Sequence, residues 1–134
     1  MANALTTAEW TKRAGQKVAR TQLFIDGKFV DSASGKTFES INPRDGSVIA
    51  QVAEGDVEDI NRAVAVAKRT FEAGVWSEMA PQDRKNVMLK WAQLIRENAE
   101  ELALLETMNC GKPISDSLNV DVASCANNIQ WYAE

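Results

Sequence analysis

The alternation of apolar and polar positions divides the chain into a short helix, a run of strands and a run of helices. Thr6-Thr7-Ala8-Glu9 has capping-box spacing, in which a hydroxyl and a carboxylate satisfy free N–H groups at a helix start. Trp10, Ala14 and Val18 follow at helical spacing, which predicts an amphipathic front helix. Leu23-Phe24-Ile25 and Lys28-Phe29-Val30 flank Asp26-Gly27, a dipeptide that accepts the positive φ angles of a two-residue hairpin turn. Thr37 to Ile41 reads as a second extended piece, Asn42-Pro43-Arg44-Asp45-Gly46-Ser47 as a turn, and Val48 to Ala53 as a strand that Gly55 breaks.

Beyond Gly55 the period changes from 2 to 3.6. Asp56 is placed to cap a helix over 57–73 whose Ile60, Ala63, Val64, Ala67 and Phe71 form one stripe, with Gly74 as its stop. Pro81 sits where a first-turn proline is tolerated, and Val87, Trp91, Leu94 and Ile95 line a face of the next helix. Asn98 followed by Glu101 repeats the cap spacing, so the stretch 81–108 reads as two helices, the second carrying Leu102, Leu105 and Met108. Gly111-Lys112-Pro113 ends it. From about Ser117 a last helix places Leu118, Val122, Cys125 and Ile129 on one stripe. Its pattern is still running at Trp131-Tyr132-Ala133-Glu134 with no stop signal, and the expectation is a truncated piece of something longer.

With 134 residues, 45% of them hydrophobic, the chain is long enough for one modest core and too short for two independent domains. It contains no histidine, which removes Ser-His and Cys-His catalysis, and two cysteines without histidine cannot complete a four-ligand zinc site. A net charge of −4 and the lack of a basic, aromatic-interleaved stripe argue against a nucleic-acid groove. No stretch has the apolar length of a signal peptide or a membrane span, so the cytoplasm is expected, without nucleic-acid or membrane partners. Cys110 and Cys125 read as reduced thiols in buried, small apolar positions. The glycines build neither G-x-G-x-x-G nor G-x-x-x-x-G-K-[ST], so no phosphate cradle is expected. Asn-Pro-x-x-Gly at 42–46 and Gly-Lys-Pro at 111–113 are turn punctuation, with Lys112 offering charge to a helix C-terminus. Chemistry alone thus gives an α+β piece.

In order and spacing, however, these residues resemble the N-terminal part of the aldehyde dehydrogenase superfamily from about Leu23 to Glu134. The resemblance includes the Phe-Ile-Asp-Gly hairpin, Ile-Asn-Pro-Arg-Asp-Gly at 41–46 and Val-Ala-Glu-Gly-Asp-Val-Glu-Asp-Ile at 52–60. It continues through the alanine-rich helix, Trp76 followed by Arg84, and Glu-Thr-Met-Asn-Cys-Gly-Lys-Pro at 106–113. The front helix with Ala8-Glu9-Trp10, the run 100–107 and the run 116–134 are more similar to the gamma-glutamyl-gamma-aminobutyraldehyde dehydrogenase branch of polyamine catabolism. The resemblance implies an α/β fold, seen here as a front helix and linker over 1–20 and the N-terminal segment of an NAD(P)-binding domain over 21–134. It also implies a homo-oligomeric parent enzyme that oxidises a small-molecule aldehyde to a carboxylic acid with NAD or NADP.

The family's nucleophilic cysteine, general-base glutamate, oxyanion asparagine and cofactor strands match nothing here. Cys110, Cys125, Asn127 and Asn128 are therefore not assigned to catalysis, and the segment alone is expected to be inactive and to bind no dinucleotide. Two weaker sites carry over. A monovalent cation held before the Asn-Pro turn and before Gly-Lys-Pro maps to the Ile41 carbonyl and to Asn109, where the usual Asp is replaced by a neutral amide; the alternative is that Asn109 simply ends a helix. The helix lining the substrate entrance in aminoaldehyde enzymes maps to Val120, Asp121 and Ser124. With Leu118 at zero, an ideal helix puts Val122, Cys125 and Ile129 at about 40°, 340° and 20° and Asp121 at about 300°. Asp121 is thus either a solvated edge residue or a carboxylate facing a channel. The rival to the enzyme reading is a catalytically silent, stand-alone helical interaction module.

Overall fold

The computed structural model describes residues 5–134. A front helix α1 (Thr7–Ala14) precedes strands β1 (Leu23–Ile25), β2 (Lys28–Val30), β3 (Thr37–Ile41) and β4 (Val48–Ala53). Helices α2 (Val57–Glu72), α3 (Pro81–Glu97) and α4 (Ala99–Cys110) follow. The chain then runs through α5 (Ile114–Asp116), a π-helical turn (Ser117–Val122) and α6 (Ala123–Ala133).

Local chemistry accounts for the first half. The Thr6 hydroxyl accepts from the Glu9 N–H while the Glu9 carboxylate accepts from the Thr6 N–H, which closes the predicted capping box. The helix stops at Gly15, so Val18 lies outside it. β1 and β2 pair antiparallel with Phe24 opposite Phe29, and Asp26 and Gly27 take φ of 55° and 73°, as a type I′ turn requires. β3 and β4 form a second antiparallel ribbon with an irregularity at Ser40/Ile41. The Ala53 N–H donates to the Thr21 carbonyl at 2.8 Å, tying this ribbon to the chain entering the first.

Asp59 is the least exposed charged residue, at 2%. Both its oxygens accept from the Ala33 N–H at 3.1 Å, one also accepts from the Asp56 N–H, and Arg62 stands at 3.5 Å. One carboxylate thereby caps α2 and pins the loop after the hairpin, which is how a charge survives burial.

The helices meet through alanines. Ala92 of α3, Ala103 of α4 and Ala126 of α6 are fully buried, and side chains this small let α6 lie along α3 and α4 against the π turn. Arg96 fastens the α3–α6 pair by donating to the Asn127 and Gln130 side-chain oxygens at 3.0 and 2.7 Å. The predicted stripes are only partly inward. Ile60, Val64 and Phe71 of α2 and Val87, Trp91 and Leu94 of α3 are exposed, while α3 turns Met88, Leu89, Ala92 and Ile95 toward its neighbours. α3 is apolar on two sides, and periodicity alone selects the outer one. The break at Asn98 is present, but its side chain makes no cap: the amide donates back to the Leu94 carbonyl and closes α3. The described residues form an α+β arrangement with both ribbons antiparallel.

Candidate functional site

The predicted entrance residues sit on the π turn and the first turn of α6, and the turn has a clear structural cause. Ser117 and Val122 are both buried against α4. Five residues apart, they would lie about 140° apart on an α-helix but come onto one face on a π turn, whose hydrogen bonds run from i to i+5. The extra residue rotates everything after it, so that Ala126 takes the buried slot and Cys125 faces solvent. Cys110 is exposed as well, so both cysteines depart from the buried positions expected of them.

Two contacts hold the turn in place, and a third crosses it. The Thr107 hydroxyl on α4 donates to the buried Ser117 hydroxyl at 2.9 Å. Gly111 ends α4 in the left-handed region at φ 72° and passes so close to the Asn-Pro turn that a Cβ there would stand 3.1 Å from Pro43 Cγ. The next residue, Lys112, reaches over the turn, and its ammonium donates to Asp121 Oδ2 at 2.5 Å.

The result is a short rim of mixed chemistry. Val120 is 56% exposed, Ser124 is exposed, and the Asp121 side chain is half-buried beside them. The hydrogen bond from Lys112 to Asp121 raises the lysine pKa above its usual 10.5, so the ammonium stays charged through the neutral range. Asp116 and Glu106 add further negative charge around it. Glu106 also accepts from the Cys110 thiol at 3.3 Å and pushes its pKa up, which disfavours the thiolate. Lys112, assigned by the sequence to a helix terminus, pairs with Asp121 instead. Its partner lies nine positions on, beyond a proline and across a turn of non-standard pitch, so no helical spacing rule links the two.

In the second candidate pair, Asn109 contacts Ser40, the neighbour of Ile41, and among the described residues no hydrogen bond joins it to Ile41 itself. The Asn109 side-chain oxygen accepts from the Ser40 hydroxyl at 2.8 Å, and its amide donates to the Leu105 carbonyl at 2.8 Å. Ser40 and Ile41 flank the β3 irregularity, so Asn109 stands beside the residue next to Ile41. Among the described residues no group of three or more His, Cys, Asp or Glu is placed to hold a metal ion.

Comparison with known proteins identifies the family. The family model for the aldehyde dehydrogenase family matches residues 29–134. The chain belongs to the aldehyde dehydrogenase family. It is 50% identical over 117 residues, 87% of its length, to aldehyde dehydrogenase family 2 member B4, mitochondrial, of Arabidopsis thaliana, and covers 22% of that protein. Among solved structures it is similar to gamma-glutamyl-gamma-aminobutyraldehyde dehydrogenase from Burkholderia cenocepacia J2315, with a TM-score of 0.93 and 46% identity. That likeness covers 96% of this chain and 26% of the other. It is equally similar to a P. syringae indole-3-acetaldehyde dehydrogenase in complex with NAD+ and IAA, with a TM-score of 0.93, 46% identity, and coverage of 97% and 26%. This chain therefore spans about a quarter of the length of the aldehyde dehydrogenases it matches.

Proposed function

We propose that the chain is the N-terminal part of an NAD(P)-dependent aldehyde dehydrogenase that oxidises gamma-glutamyl-gamma-aminobutyraldehyde or another aminoaldehyde of polyamine catabolism. In this reading the parent is a cytoplasmic homo-oligomer, and the π turn forms one wall of the substrate entrance. The observation that carries the substrate class is the half-buried Asp121 carboxylate set between exposed Val120 and Ser124. An aldehyde with an ammonium at its far end gains from a carboxylate at a partly desolvated mouth, and a neutral aldehyde gains nothing.

The residues of this chain do not fit a dinucleotide. Both two-stranded ribbons are antiparallel and the glycine spacings build no phosphate cradle, so the nicotinamide cofactor and the reacting carbonyl are handled by other parts of the parent enzyme. What this segment contributes is the positioning and charge of the entrance. The weaker half of the reading is a monovalent cation between the Ile41 carbonyl and Asn109. Held by oxygen dipoles without a formal charge, it would share Asn109 Oδ1 with the Ser40 hydroxyl.

The test is kinetic. The full-length enzyme should reduce NAD+ or NADP+ with an aminoaldehyde, and the 134-residue chain alone should give no reduction above blank. Asp121→Asn should raise KM for cationic aminoaldehydes by about three- to tenfold with kcat little changed, because the contact lies away from the reacting atoms and acts on ground and transition states alike. KM for propanal should stay within about twofold. Equal losses for both substrates would return Asp121 to the role of a solvated edge residue.

A further inference from the structure

We infer that Lys112 is the internal counter-ion of the entrance: its ammonium competes with the amino end of a substrate for the Asp121 carboxylate, and so tunes the selectivity between cationic and neutral aldehydes. The inference rests on the entrance reading of Asp121 given above. It follows from where the pair lies. Lys112 donates directly to Asp121 Oδ2, and both side chains remain open to solvent, at 40% and 32%. A substrate ammonium approaching Asp121 from the mouth therefore meets a tethered ammonium already in place.

Holding the turn does not explain the pair. The part-buried Thr107–Ser117 hydroxyl pair and the close approach of Gly111 to Pro43 already fix the π turn to α4 and to the β3–β4 turn. An ion pair this open to water adds little to folding, because solvent screens it and two long side chains must be ordered to form it. Its effect is on the charge of the mouth. With Lys112 in place, its ammonium offsets part of the Asp121 charge that an incoming cation would meet. Without Lys112, Asp121 presents a free carboxylate to an incoming cation. Substrate ammonium and lysine ammonium then compete for the same oxygen, so neutralising the lysine should favour the substrate, whereas loss of a structural latch should harm every substrate.

The experiment uses the full-length enzyme with Lys112→Met and Lys112→Gln, assayed with a cationic aminoaldehyde and with propanal. The glutamine retains a donor for Asp121 without the charge, so it decides the matter if the methionine variant does not fold. The expected result is a fall in KM for the aminoaldehyde of about three- to tenfold, with propanal KM within about twofold and kcat unchanged for both. Placing Lys112→Gln in an Asp121→Asn background should shrink the gain, since the contested carboxylate is gone. An aminoaldehyde KM that rises or stays constant, or equal changes for both substrates, overturns the counter-ion role. A wild-type enzyme that oxidises no aldehyde overturns the functional reading and this inference with it. One that oxidises aldehydes with an unaltered selectivity in the variants overturns the role of Lys112 alone.

Discussion

Gly111 is under two constraints at once, a left-handed φ of 72° and a neighbour, Pro43 Cγ, that a Cβ would approach to 3.1 Å. Either would disfavour a side chain, and together they join the end of α4 to the β3–β4 turn just where Lys112 must start its reach toward Asp121. Gly111→Ala is expected to cost about 1–2 kcal/mol for the backbone alone, lowering the melting temperature by roughly 4–8 °C. Gly27→Ala is the control, since Gly27 has a similar φ of 73° and nothing within 4 Å of an added Cβ. A thermal melt of the two variants separates the contact from the conformation: the excess loss at Gly111 is the Pro43 approach, and equal losses would remove that contact from the account.

The front helix shows how much of an element's stability sits in one cap. Hydrogen bonds from the Thr6 N–H and hydroxyl hold the Glu9 carboxyl below its usual 4.5. A carboxylate whose folded pKa is depressed contributes stability above its unfolded value, and that contribution is lost as pH falls through the depressed value. α1 should therefore loosen below about pH 4.5, ahead of any helix without such a cap. Hydrogen exchange of the α1 amides between pH 6 and 3 would show it, and Thr6→Ala should lower protection at neutral pH and flatten the acid step. The readout must be local, because Asp45 is held low by the Ser47 hydroxyl and amide in the β3–β4 turn and titrates in the same direction. Such caps and turns are what the sequence makes legible. Thr6-x-x-Glu9, Asp26-Gly27, Asp56, Pro81 and Gly111 act through neighbours a few residues away, and the elements they delimit lie where local rules put them. The π turn was not legible, since its cause is the simultaneous burial of Ser117 and Val122 against α4, and the fixed 100° wheel consequently placed Cys125 inward. Asn98 marked a true boundary by the wrong hydrogen bond. At the site, the positions of Asp121 and Asn109 were readable from motif order, whereas their partners Lys112 and Ser40 are set by tertiary contact.

At the scale of the molecule, many large apolar side chains face solvent. Val57, Ile60, Val64 and Phe71 on α2, Val87, Trp91 and Leu94 on α3, and Trp131 and Tyr132 on α6 are all exposed, while the buried apolar residues among those described are three alanines of the helices with Ala53 and Val122. Faces of this kind exceed what soluble monomers usually leave uncovered. The isolated 134-residue chain is accordingly expected to self-associate, with a weight-average mass in sedimentation that rises with concentration; a strictly monomeric profile at high concentration would contradict this. The π turn has a different consequence for the chain as a whole, because it amounts to a one-residue surplus in an otherwise regular rod. Deleting exposed Asn119 would bring Ser117 and Val122 into the i, i+4 relation of an ordinary α-helix and leave Ala126 in its slot against α3. Deleting exposed Cys125 offers no such compensation and turns the rest of α6 by about 100°. The first shortened chain should keep its fold to within about 2 kcal/mol, measured by denaturant titration, and the second should not. The segment that shapes the rim is thus also the one place in this helix where the sequence can change length without changing what packs behind it.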